Sequence, residues 1–214
     1  WLTARMSILD VQDRPTPQAL AFWRQAGMPA EMIAERAAER PFNMADLSAP
    51  LPPGYRRLAE GHEIAFGERR WIVRMGEGHA PEHVTLWSQD DDLVIGGDQL
   101  LASISPNLGV HPNEPEGDPL SLYLESLAGL GRLLPPQTLV LPSHGLPFGG
   151  TPAADGQGGA HTRIAELIRH HDERLDETRR ACREQPTSAA DLLPGEAVVV
   201  RVVDGPRGRL AVYY

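Results

Sequence analysis

The sequence predicts an α/β domain with a small helix-and-hairpin module at its C-terminal end. Three observations carry this. Short β-rich runs crowd residues 63–95. A Leu-periodic helix at 119–134 is followed at once by an apolar strand. A long charged helix then leads to two β-rich runs around a Gly-Pro turn. Strands alternating with helices pack as sheet-and-helix layers. The expected division is residues 1–160 for the main domain and 161–214 for the module. No internal repeat interrupts the order.

The elements follow in sequence. Thr16-Pro17 reads as an N-cap with proline at the first helical position, and Gly27 is the stop. Leu20, Phe22 and Trp23 supply the apolar bulk between them. Pro29 opens a second helix, with Met32, Ile33 and Ala37 on one side, which ends before Pro41. Pro50, Pro52, Pro53 and Gly54 form a loop. Strands are expected at Glu63–Phe66, Arg70–Met75, His83–Ser88 and Asp92–Ile95, separated by turn-forming residues. Residues 104–118 are an irregular loop. Leu120, Leu124, Leu127, Leu130 and Leu134 give 119–134 its helical spacing. Thr138–Leu141 is a short strand running into Pro142-Ser143-His144-Gly145. Residues 148–160 are a Gly-rich loop and 161–184 a charged helix. Ala197–Val203 and Arg209–Tyr214 form a hairpin around Asp204–Gly208.

Composition sets the outer limits. The chain has 214 residues, 41% hydrophobic and 23% charged, enough for a real core. Gly and Pro are abundant, at 21 and 20, so loops are many. The net charge is −9, and no Lys/Arg cluster stands out. Phosphate backbones are gripped chiefly by basic groups, so this balance argues against sequence-independent nucleic-acid binding. Cys182 is the sole cysteine, which removes any intrachain disulfide and fits a reducing cytoplasm. No apolar run reaches the roughly 18 residues of a membrane helix, and no signal peptide is visible. The chain opens on Trp1, which reads as processing, truncation or partial representation.

Three stretches carry chemistry. Gly76-Glu77-Gly78-His79-Ala80-Pro81-Glu82-His83 is a turn between two strands. Val94-Ile95-Gly96-Gly97-Asp98 and Leu139-Val140-Leu141-Pro142-Ser143-His144 are apolar strands ending in Asp and in His. Loops at strand ends converge on one sheet edge, and imidazole with carboxylate suits zinc, iron or manganese. Singly, each residue has a plainer reading: a lone His or Asp after a strand is ordinarily a hydrogen-bonded turn residue.

In this order, the three stretches resemble the metallo-β-lactamase superfamily. The resemblance implies an αββα sandwich, of which this chain is the C-terminal portion, and covers most of residues 1–185. It implies that His83, the last His of the turn, binds metal while His79 supports it. It makes Asp98 a carboxylate shared by two zinc ions, and His144 a ligand of the second. Iron or manganese could stand in the same place. Helices at 16–40 look like a lid-like insertion, found in the subgroup with a C-terminal winged-helix appendage. Residues 161–214 are winged-helix-like, with the hairpin as the wing. Glu82 departs from the pattern, standing where the family has Gly. The family's His-x-His-x-Asp-His motif is also missing and is expected to lie before residue 1. His170-His171-Asp172 has the wrong spacing for it and reads as a solvated helix face. His161 reads as a helix-start residue.

By this resemblance the function is hydrolysis of a small ester or thioester through a metal-activated hydroxide, with Asp98 at the catalytic centre. An RNA or phosphodiester hydrolase of the same fold is one alternative. A non-catalytic binding or oligomerisation module is the other. The isolated chain is expected to be inert and nearly metal-free, with an uncovered sheet edge that favours a homo-oligomer.

Overall fold

The computed structural model describes residues 11–47, 56–112, 114–151, 159–184, 187–192, 200–203 and 209–212. It falls into two compact units. One comprises residues 1–57, 109–118 and 178–214; the other comprises 58–108 and 119–177.

In the first unit, α1 (Pro17–Gln25) begins where the Thr16 side chain accepts the Ala19 N–H at 3.1 Å. Gly27 turns the chain, and α2 (Ala30–Ala38) follows a Pro29 cap. Phe22 and Val110 form a small core with Trp23, Ala26, Met28 and Ala189 packed around it. The expected lid-like segment, 16–40, belongs wholly to this unit. Strands β7 (Val200–Val203) and β8 (Arg209–Val212) pair antiparallel, Val203 opposite Arg209. Residues 197–199, 204–208, 213 and 214 of the expected hairpin lie outside the described residues.

The second unit holds a six-stranded sheet in the order β1-β2-β3-β4-β5-β6. β1 (Glu63–Phe66), β2 (Arg69–Gly76), β3 (His83–Ser88) and β4 (Leu93–Gly97) form an antiparallel meander. The chain then crosses through α3 (Pro119–Leu133) and returns as β5 (Leu139–Pro142), parallel to β4 with Val94 opposite Val140. A parallel pair needs such a crossover. β6 (Phe148–Gly149) pairs antiparallel with β5 inside the stretch read as a Gly-rich loop. A two-residue strand has no periodicity to announce it.

Burial explains the packing. Val73, Val94 and Val140 of the sheet are buried, as are Leu120, Tyr123, Leu127 and Leu130 of α3. The expected Leu124 is only half-buried; Tyr123 takes the inner place instead, fully covered. α4 (Gly159–Glu184) buries Ala160, Ile164 and Leu167. His161, near its start, bonds the Leu134 carbonyl through Nε2 at 2.8 Å. His170 and Asp172 are exposed as expected, but His171 corrects the reading of a solvated face. Its Nε2 lies 2.8 Å from Ser105 Oγ, and its ring meets Tyr123 edge-on with centroids 5.8 Å apart. No helix among the described residues is long and apolar enough to cross a membrane.

Candidate metal centre

Strand register builds the site. The β4–β5 ladder shifts near its end, so that Gly97 faces Pro142, and the Ser143 N–H donates to the Gly97 carbonyl at 3.1 Å. Asp98 and His144 therefore leave the same ends of neighbouring parallel strands. On the other side of β4, the pair Gly76–His83 closes the β2–β3 ladder. The turn it closes carries His79. Glu82, the residue that departs from the family pattern, has φ +51. That is a left-handed conformation costing a non-glycine residue about 1 kcal/mol. Its N–H donates to Glu77 Oε1 at 3.2 Å, which helps hold the turn.

All three expected residues reach this edge, and so does His79. Asp98 divides its two oxygens. Oδ2 lies 3.4 Å from His79 Nε2, and Oδ1 lies 3.4 Å from His144 Nε2. The Ser143 hydroxyl also donates to Oδ1. The side chain of His144 is 67% exposed, against 28% for Asp98, so the edge is open to solutes.

His79 and His83 have different surroundings. The Nδ1 of His79 lies 2.8 Å from the Asn107 carbonyl, so that nitrogen carries the proton and donates. Its Nε2 faces a carboxylate oxygen of Asp98. The Nε2 of His83 instead accepts the Asp98 N–H at 3.3 Å, and its Nδ1 is buried without a hydrogen-bond partner among the described residues. Gly97 makes room for this ring, since a Cβ there would sit 2.5 Å from His83 Cε1. Burial first, and then the neighbouring His79, hold the His83 pKa below the usual imidazole value, against a smaller upward pull from Asp98. The resemblance put His83 at the metal and His79 behind it. In the structure, His79 is the imidazole turned to the carboxylate side chain, and His83 is turned to the backbone. The turn itself was legible as Gly-His-x-Pro, but nothing local distinguishes its two rings.

These residues fit a divalent metal in kind and spacing. An imidazole nitrogen facing a carboxylate oxygen can share a cation with it, a metal ion or a proton. Ligand atoms about 2.0–2.1 Å from one tetrahedral ion lie roughly 3.3–3.4 Å apart, which is the spacing on each side of Asp98. The donors come as two pairs sharing one carboxylate; among the described residues no group of three or more His, Cys, Asp or Glu gathers around a single point.

The fold is thus a mixed α/β structure that brings imidazoles and a carboxylate to one sheet edge. The sequence model of the metallo-beta-lactamase superfamily matches residues 18–175, and the chain belongs to that superfamily. A beta-lactamase domain protein from Burkholderia ambifaria is 38% identical with a TM-score of 0.64, over 93% of this chain and 62% of that one. A metallo-beta-lactamase family protein from Thermus thermophilus is 25% identical with a TM-score of 0.57, over 92% of this chain and 65% of that one. The probable metallo-hydrolase YqjP of Bacillus subtilis (strain 168) is 30% identical over 137 residues, 63% of this chain and 39% of that protein. The chain spans less than two thirds of the length of each.

Proposed function

We propose that this chain carries part of the metal centre of a hydrolase acting on a small ester or thioester, with zinc as the first candidate metal. The observation that supports it most is the placement of two imidazole nitrogens, one against each oxygen of Asp98. On this reading Asp98 is the shared ligand, His79 and His144 flank it, and His83 fixes the Asp98 backbone. A bound divalent ion would supply Lewis acidity and lower the pKa of water. The chain's own part is orientation. The Asn107 carbonyl selects the tautomer of His79, as carbonyl partners of ligating histidines commonly do. Ser143 holds one carboxylate oxygen in place. A net charge of −9 disfavours a polyanionic substrate.

The test is a comparison of His79→Ala with His83→Ala, reading zinc affinity by competition with a chromophoric chelator and turnover of a generic thioester. Loss of His79 should weaken zinc more than about 100-fold, beyond the 10–100-fold typical of a supporting residue, with His83→Ala inside that range. The reverse ranking would return the ligand role to His83. Zinc affinity unaffected by either change would remove the metal reading altogether.

A further inference from the structure

Asp98 and Gln99 clasp the histidine turn at both ends. At the far end, the Asp98 N–H donates to His83 Nε2 at 3.3 Å. At the near end, the fully buried Gln99 amide donates from Nε2 to the Glu77 carbonyl at 3.3 Å and to Ser126 Oγ at 3.1 Å. Ser126 Oγ also accepts the Glu77 N–H at 3.2 Å. Both polar groups of the residue 77 backbone, two positions before His79, are therefore held from α3 and from the residue after Asp98. The amide lies directly on the Gly76 backbone, where a Cβ would be 2.3 Å from Gln99 Cδ.

Gln99 Oε1 is buried and has no partner among the described residues. Burying an unmatched acceptor costs free energy; an apolar side chain would avoid that cost but would leave the Glu77 carbonyl without its Gln99 donor, a loss of similar size. Stability alone therefore does not account for an amide at this position. Its location does, since it ties the loop bearing Asp98 to the turn bearing His79. We infer that Gln99 and Ser126 are positioning residues that set His79 against the Asp98 carboxylate, an assignment that rests on the metal reading above.

The experiment titrates the chain and its Gln99→Met, Ser126→Ala and Ser126→Thr variants with Co(II), following visible absorption. Urea unfolding and the nitrogen shifts of the His79 ring are recorded on the same metal-free samples. Co(II) affinity should fall about 10–100-fold in Gln99→Met and Ser126→Ala, and Ser126→Thr, which keeps the hydroxyl, should restore it. The urea midpoint of Gln99→Met should stay about level while its affinity falls, a combination that a purely structural role does not produce. In metal-free protein, His79 should be the Nδ1–H tautomer in the parent chain and a mixture in Gln99→Met. Parent-like affinity in Gln99→Met, or affinity and stability lost together, would overturn the assignment. A site with two ligands per ion binds weakly; if the parent chain takes no Co(II) even at millimolar metal, the metal reading fails by itself. The His79 tautomer then decides the clasp, and an unchanged tautomer in Gln99→Met refutes it.

Discussion

Replacing Asp98 with alanine should abolish measurable metal uptake on both sides of the carboxylate at once. Each Asp98 oxygen faces a different imidazole at 3.4 Å, so on the proposed reading one truncation removes a ligand atom from two positions together with the anionic charge that faces both rings. What remains is a pair of imidazoles with nothing to bridge them. The loss should exceed about 100-fold, beyond that of an outer-shell substitution. His144→Ala should be milder, because the His79–Asp98 pair survives it. Chelator competition measures both. Equal, modest losses in Asp98→Ala and His83→Ala would show that the carboxylate is not the hinge of the site.

The second large effect is structural. Gly78→Ala should destabilise the protein by about 3 kcal/mol or more, lowering Tm by roughly 6–12 °C. Gly78 has φ +104, and a Cβ built on it would lie 2.4 Å from Tyr123 Cβ, 2.8 Å from Tyr123 Cα and 2.7 Å from the Pro119 carbonyl. Two of these atoms are backbone at the start of α3, which cannot swing aside as a side-chain tip can. Strain at the unusual φ adds to the clash. Chemical denaturation gives the number directly, and a change under about 1 kcal/mol would mean that the turn and α3 part easily.

Much of this architecture was legible because it rests on local pattern. Apolar runs ending in Asp98 and in His144 announced two strand ends, and the Leu spacing of 119–134 announced α3. The ladder between β4 and β5 then did what parallel strands do, bringing those ends together. Other features depend on distant partners. Which of two histidines in one turn faces the carboxylate is decided by the Asn107 carbonyl and the Asp98 N–H, far along the chain. Tyr123 displaces Leu124 inward because its hydroxyl finds the Gln99 carbonyl at 3.4 Å, so a polar handle is tolerated in a covered position. The place of His171 did carry a signal. It continues the buried series Ala160, Ile164 and Leu167 at helical spacing, and the polarity of its neighbours His170 and Asp172 masked it.

The packing of His171 against Ser105 and Tyr123 should make stability fall in mild acid. Burial first, then the proximity of His170, hold its pKa down to about 4. In the unfolded chain an imidazole takes up a proton near 6.5. Between those two values the unfolded state binds more protons than the folded one, so stability is complete above about pH 6.5 and drains away as pH falls toward 4. Urea midpoints taken at pH 7 and pH 5 should show the decline, and His171→Asn should flatten it. A slope unchanged by that substitution would assign the acid sensitivity to other groups.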